Sequence, residues 1–440
     1  MSLETMGEFL RCSLGLSAWK AYGASRWALR VNPSSGNLHP TEGYVVWDGG
    51  IHHYAPAEHA LEQRAELPGN PLDVPGGEGS GTSAGFLVGL TSIHWREAWK
   101  YGERAFRYCQ HDVGHALGAL RVSAAMLGWH LTVLSTWSHA DISTMLGLDR
   151  AGDFGGAERE EPELMAFVSV GPIESLRFEP TALVAAAREA RWQGQANVLS
   201  ATHVEWPAID DVAAATICPA AAPSTRQVSR PTRYENAGGQ PLARDIILQR
   251  RSATAFDPRG VLRRDAFLAM LERLVPGTPP WDAQSWSTQT HLAIFVHRVQ
   301  DMTPGIYAYL RADDGTRADW QRTMRPEFLW EPVPETGSGG ADGLFLLAPV
   351  DMRATANRLS CDQDIAADGF FSLSMVARLS SIHDNGPCAY RQLFWECGLI
   401  GQVLYLEAEA AGARATGIGC FYDNPVHETL GLTDDRWQSL

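Results

Sequence analysis

Apolar residues change their period several times along the chain, and each change marks an element. From 106 to 127, Val113, Ala116, Leu117, Leu120, Ala124 and Leu127 recur at intervals of three and four with no proline between them. This predicts one long helix, with Gly128 at its stop position. A second helix of the same kind is predicted from 393 to 411, stopping at Gly412. Short, continuous apolar runs predict buried strands at Tyr44-Val45-Val46-Trp47, at Met165-Ala166-Phe167-Val168-Ser169-Val170 and at Leu292-Ala293-Ile294-Phe295-Val296. Helices and strands interleave, so the fold class is α+β.

The pattern also repeats. Setting residue n against residue n+284 aligns Arg107 with Arg391, Gly114 with Gly398, Leu120 with Leu404, Ala124 with Ala408 and Gly128 with Gly412. Leu146-Gly147-Leu148 then meets Leu430-Gly431-Leu432 without a gap. Upstream, Gly50-Ile51-His52-His53-Tyr54 resembles Gly305-Ile306-Tyr307-Ala308-Tyr309. This reads as a tandem duplication of one α+β unit. Chance likeness between two Ala-rich helices is the alternative, and the register that continues past the helix weighs against it. Between the copies, Pro207, Pro219, Pro223 and Pro231 punctuate an Ala-rich stretch that ends in Gly238-Gly239. A linker is expected over 176–240, joining a unit at 1–175 to one at 241–440.

The 440 residues, 45% hydrophobic and 20% charged, describe a globular chain with ample core. Thirty-six basic against 51 acidic residues leave a net charge of -15, which repels a nucleic-acid backbone and an anionic membrane. Seven scattered cysteines with no Cys-x-x-Cys pair predict neither a disulfide framework nor a zinc ribbon, and fit a reducing cytoplasm. The start of the chain lacks a basic region followed by an apolar run, so neither export nor membrane insertion is expected.

Three clusters could hold a phosphorylated aromatic cofactor. Arg250-Arg251-Ser252 offers two guanidiniums and a hydroxyl, suited to bidentate grip on a phosphate, although a solvated basic turn has the same composition. The loop Asn32-Pro33-Ser34-Ser35-Gly36-Asn37-Leu38-His39-Pro40 sets donors between two prolines, as an ordinary turn would too. In Gly417-Ile418-Gly419-Cys420-Phe421, the glycines let backbone N–H groups approach a planar ring. The first copy has Val133, Leu134, Ser135 and Thr136 at these places, whose side chains would obstruct that approach.

Two other motifs compete. His111-Asp112-Val113-Gly114-His115 imitates the two-histidine helix of zinc hydrolases, but Asp shortens the general base and no third ligand is evident, so no metal site is expected. The Gly76-Gly77-Glu78-Gly79-Ser80-Gly81 run neither follows a strand nor opens a helix, and reads as a loop rather than a dinucleotide fingerprint.

Together, Arg250-Arg251-Ser252, the Pro33-Ser34-Ser35-Gly36-Asn37 loop, the glycine segment after a long helix and Trp99-Lys100-Tyr101-Gly102-Glu103-Arg104 resemble the FMN-dependent nitroreductase family, especially its SagB-type dehydrogenase branch. The resemblance implies two nitroreductase-like units forming an intrachain pseudo-dimer with FMN at their interface. Arg250, Arg251, Ser252, Gly417, Ile418, Gly419 and Cys420 would contact the flavin from the second copy, and Pro33, Ser34, Ser35 and Asn37 from the first. The mirror-image site would be lost. Lys100-Tyr101 matches the pair that azoline-oxidising members use for proton abstraction; a surface lysine beside a packed tyrosine is the alternative. Where the family often carries a basic side chain, four residues after its first arginine, this chain has Thr254.

The expected activity is therefore flavin-dependent oxidation of a small molecule or peptide-derived heterocycle, with hydride passing to flavin N5. A nicotinamide-driven reductase of nitro or quinone compounds and a flavin-free scaffold are the other classes. The first copy lacks an Arg-Arg-Ser helix and the second lacks a closing strand, so a trimmed or fragmentary chain is expected.

Overall fold

The computed structural model describes residues 1–69, 85–171, 180–221, 241–312, 315–334 and 343–440. The glycine run at 76–81, along with Pro223, Pro231 and Gly238-Gly239, lies outside them. The chain divides into two compact units. One comprises Met1–Val228 with Pro241–Gln249 and Asp282–Trp286, and the other is built chiefly from Arg250–Trp281 and Ser287–Leu440.

The first unit opens with α1 (Leu3–Arg11) and the hairpin β1 (Leu16–Tyr22) and β2 (Ser25–Arg30). Next come β3 (Thr41–Trp47), β4 (Gly50–Ala55), β5 (Ala60–Glu66) and β6 (Gly85–Ser92). Helices α2 (Trp95–Tyr101) and α3 (Ala105–Met126) lead to β7 (His130–Val133), α4 (His139–Leu146), α5 (Ala151–Phe154) and β8 (Glu161–Ser169). Finally, α6 (Pro180–Glu189), β9 (Arg191–Trp192), α7 (Pro207–Ala215) and α8 (Ala243–Gln249) complete it. Its main sheet has the order β7-β8-β6-β3-β4-β5-β9 among the described residues, with antiparallel pairing throughout.

The second unit contains α9 (Arg264–Glu272), β10 (Thr290–Val296), β11 (Gly305–Tyr309), α10 (Thr316–Thr323), β12 (Glu331–Pro332) and β13 (Leu344–Ala348). It continues through α11 (Arg353–Leu359), α12 (Ile365–Asp368), β14 (Phe371–Arg378), α13 (Ser381–Asn385), α14 (Cys388–Ala410), α15 (Asp423–Leu430) and β15 (Trp437–Ser439). Its sheet order is β12-β13-β11-β10-β14-β15.

The two sheets share a central order: β8-β6-β3-β4-β5 in one corresponds to β15-β14-β10-β11-β13 in the other. In each, a long helix follows the strand beside the central hairpin. The predicted helices are found as α3 and α14. Val113, Ala116, Leu117, Leu120 and Ala124 of the stripe are buried, and the chain leaves each helix through a glycine of positive φ, 73° at Gly128 and 72° at Gly412. Gly147 and Gly431, paired by the repeat, both end short helices in the left-handed conformation.

β3, β6 and β10 are buried along nearly their whole length, which is why they appear as unbroken apolar runs rather than alternating ones. The first core gathers Val46, Leu87, Met145, Phe167, Leu183 and Val184. The second gathers Phe295, Trp320, Phe345, Leu347, Val376 and Trp437.

Three expectations need amendment. The segment expected to be a linker over 176–240 contains α6, β9 and α7, and Leu183, Val184 and Ala187 of α6 enter the first core. Alanine and proline there build short helices with proline in the first turn, not an extended tether. The second unit has a closing strand after all, the three-residue β15, which pairs with Arg378, Ala377 and Val376 of β14. Cys361 and Cys420 form a disulfide, although no disulfide framework was expected. They are 59 residues apart in sequence, and only the fold brings their Cα atoms to 5.9 Å. Among the described residues, no helix is long and apolar enough to cross a membrane.

Candidate functional site

In the first unit, the structure brings the Pro33–Asn37 residues together with Lys100 and Tyr101. The loop closes on itself in a single turn of 3-10 helix, Ser35–Asn37. Gly36, Asn37 and His39 all take positive φ, a region that glycine enters freely and asparagine tolerates. Side chains hold this shape. Ser34 Oγ accepts the His39 N–H at 2.8 Å, and Asn37 Nδ2 donates to the Ala28 carbonyl at 2.9 Å. Asn37 Oδ1 also lies 3.0 Å from His39 Nε2, while Arg96 donates to the His39 carbonyl at 2.7 Å. Ser34 and Asn37, expected as cofactor donors, therefore also serve as the loop's internal braces. Pro33 is buried.

Lys100 and Tyr101 close α2 against this loop. A Cβ built on Gly36 would lie 2.9 Å from Lys100 Nζ and against the Tyr101 hydroxyl, so both side-chain ends would have to shift, and the positive φ disfavours other residues there. Lys100 Nζ stands 4.9 Å from the centroid of the Tyr101 ring, and that ring meets Tyr108 edge-on at 4.8 Å. Lys100 is exposed. Asp112, in the middle of α3, accepts from both the Ser35 N–H at 3.1 Å and the Ser35 hydroxyl at 3.3 Å. The zinc-hydrolase imitation therefore ends with its acid turned to the Ser35 loop.

In the second unit, Arg250, Ser252 and Gly417 converge on Tyr405, a residue of α14 that no sequence motif marks. The Tyr405 hydroxyl accepts the Gly417 N–H at 2.7 Å and lies 3.0 Å from Ser252 Oγ, while Arg250 stands 5.0 Å from its ring centroid. Ala253 N–H donates to the Ala415 carbonyl at 3.0 Å, joining the Arg-Arg-Ser segment to the glycine segment. Ile418 and Phe421 pack on the second core, and the Cys361–Cys420 disulfide ties the segment to the end of α11.

This convergence is rich in positive charge. Arg250 is buried, which lowers its guanidinium to about 10. Burial and the charge of Arg414 lower Arg251 also, with Glu409 opposing. Three guanidiniums beside one carboxylate suit a phosphate. At Gly417 φ is unremarkable and an added Cβ would find only the Tyr405 hydroxyl, at 3.7 Å. Neither backbone strain nor packing in the described residues requires glycine there, as expected if its bare surface faces a planar ligand. The matching place in the first unit, Val133, lies in β7 and is buried. The second unit has no counterpart of β7 among its described residues, and the Gly417 N–H goes to a side chain instead of a ladder.

Comparison with known proteins agrees with the fold. Residues 2–171 match the family model described as Nitroreductase family. A candidate nitroreductase from Anabaena variabilis ATCC 29413 matches over 99% of this chain and 86% of its own, with a TM-score of 0.70 and 19% identity. The fold is therefore nitroreductase-like. Two further structures match 39% of the chain at a TM-score of 0.30, too low to support argument. One is the Escherichia coli microcin synthetase McbBCD complex with truncated pro-MccB17 bound, at 19% identity and 65% of that chain. The other is a candidate nitroreductase from Ralstonia eutropha JMP134, at 17% identity and 74% of that chain. No curated protein matches.

Proposed function

We propose that this protein is an FMN-dependent oxidoreductase of the SagB-type dehydrogenase kind, acting on a small molecule or peptide-derived heterocycle. The observation that carries the reading is the convergence of Arg250, Ser252 and Gly417 on Tyr405, with Arg251 and Arg414 adding charge. Arg250, Arg251 and Ser252 would hold the flavin phosphate. The backbone of Gly417, Ile418, Gly419 and Cys420 would approach the flavin ring, and Pro33, Ser34, Ser35 and Asn37 are the contacts the family resemblance assigns to the first unit. Bound flavin supplies hydride acceptance at N5. Lys100 and Tyr101 orient the substrate, and in its amine form Lys100 Nζ takes the proton that leaves when a double bond forms. With Thr254 where a basic residue is often found, one of Arg250 and Arg251 would have to offset the reduced flavin's charge. The net charge of -15 supports neither nucleic acid nor membrane as a partner. A cytoplasmic setting would keep Cys361 and Cys420 as thiols, so the cellular redox state of that pair tests the placement.

The test is spectroscopic. Purified protein incubated with FMN should acquire flavin absorbance, and Arg251→Ala should weaken binding about 10- to 100-fold, as expected for a charge-assisted hydrogen bond. Protein that gains no flavin absorbance overturns the reading and leaves the scaffold. Anaerobic bleaching by NAD(P)H would instead favour a nitro or quinone reductase.

A further inference from the structure

Beside the Ser35 loop lie two carboxyl groups that the reaction above does not use. Glu97, on α2, is 0% exposed, and neither of its carboxyl oxygens has a hydrogen-bond partner among the described residues. Asp112, on α3, is 1% exposed; its Oδ1 holds the Ser35 N–H and hydroxyl, and its Oδ2 has no partner among those residues. Glu97 precedes Lys100 by three positions and Tyr101 by four, so all three share one face of α2.

The second unit shows what an acid at this place looks like when its role is structural. Glu396 aligns with Asp112 in the repeat and likewise accepts a backbone N–H from just before a central strand, that of Gln289 at 2.9 Å. It pairs with Arg311, and both side chains are fully buried. Asp112 has another acid, Glu97, for a neighbour. Two buried like charges are unstable together, which favours one of the two carboxyls keeping its proton.

We propose that Glu97 and Asp112 hold a single proton between them, Glu97 as the acid and Asp112 as the carboxylate, and that this division pins the 34–36 loop against Lys100 and Tyr101. The two are positioning residues. Their service to a cofactor rests on the flavin reading, whereas the pinning does not.

The surroundings favour this division. Burial and then the charge of Asp112 push Glu97 up, against a smaller pull from Lys100. Burial raises Asp112 as well, but the Ser35 hydrogen bonds and the charge of Arg30 favour its ionised form. Tyr108 on α3 also faces Glu97, with Tyr101 of α2 and Arg104 beside that tyrosine. A second proton, taken up in acid, would neutralise the acceptor that holds Ser35. Loss of the first, in alkali, would set two charges against each other.

Hydrogen exchange of the full-length protein across pH, corrected for intrinsic rates, tests this at the Ser35 amide. Wild-type protection should fall at both ends of the pH range. Glu97→Gln, which mimics the acid permanently, should abolish the alkaline fall. Asp112→Asn should lower protection at least tenfold throughout. Infrared spectra should show a protonated-carboxyl stretch at neutral pH that Glu97→Gln removes. An unchanged alkaline fall in Glu97→Gln, or a wild type without that stretch, overturns the proposal; the wild-type spectrum decides even if a variant does not fold. Parallel titration with FMN separates the two readings, because protein that binds no flavin but keeps these responses loses only the flavin assignment.

Discussion

The Tyr405 hydroxyl accepts the Gly417 N–H at 2.7 Å, so a side chain of the long helix does for the glycine segment what a neighbouring strand would do in a sheet. Removing that oxygen leaves the amide without its acceptor. Tyr405→Phe should cost about 1–3 kcal/mol, the usual penalty for a partly buried donor left unmade. Urea unfolding measures the loss, and exchange at the Gly417 amide should speed up alongside it.

Gly36 has a φ of 58°, and a Cβ there would press on the ends of the Lys100 and Tyr101 side chains. Gly36→Ala combines left-handed strain with displacement of Lys100 and Tyr101, and should destabilise the protein by about 1–3 kcal/mol. Calorimetry on Gly36→Ala, with Gly128→Ala as a control of similar φ but open surroundings, separates crowding from strain. Equal losses in the two variants would show that the crowding is not real.

Breaking the Arg311–Glu396 pair should be among the most damaging single changes. Arg311 also donates to the Leu274 carbonyl at 2.8 Å and the Thr290 carbonyl at 3.0 Å, so removal strands several acceptors as well as a charge. Arg311→Ala should cost about 3–5 kcal/mol, whereas replacing both partners with apolar residues should cost much less. Denaturant midpoints for the single and double variants make the comparison.

The first unit's sheet carries a pH-dependent element of its own. His53 lies between Glu42, at 2.9 Å, and Glu62, at 2.7 Å. Burial lowers His53, but the Glu42 hydrogen bond and charge outweigh it and hold the imidazole at about 9. Burial raises Glu42, and the His53 hydrogen bond with the charges of Arg96 and Arg30 overcomes it, leaving about 2. His53 therefore stabilises fully below its unfolded value of 6.5, and that contribution disappears as pH rises through about 9. Glu42 contributes above 4.5, and its share is lost as pH falls through about 2. Unfolding free energy should decline between pH 6.5 and 9, and His53→Gln should flatten that decline.

Closing a loop across 59 residues, the Cys361–Cys420 disulfide should contribute about 2–4 kcal/mol in oxidised protein. Cys361→Ser should lower the melting temperature only under oxidising conditions. Alkylation followed by mass spectrometry, with and without reductant, reports whether the two thiols are masked.

Much of the fold was legible because its determinants are local and periodic. The stripe along α3, the continuous apolar run of β10 and the glycines at 128, 412, 147 and 431 each carry their own signal. What escaped was set by long-range contact. Tyr405 is one tyrosine in a helix until Ser252 and Gly417 reach it, and Cys361 meets Cys420 only after the chain has folded. β15 was missed because three residues are too few to show a period. The loop at 33–37 was legible as a special turn, but not that Asn37 and Ser34 would brace it. Glu97 lay in a charged run that resembled solvent-facing surface, and only burial distinguishes it.

The shared strand order of the two units has a consequence for how such a molecule can change. In an assembly of identical chains every substitution arrives in both copies, so a residue useful on one side must be tolerated on the other. Here a mutation arrives once. Asp112 and Glu396 have different neighbours, an acid in one case and an arginine in the other, and each can change without altering the other.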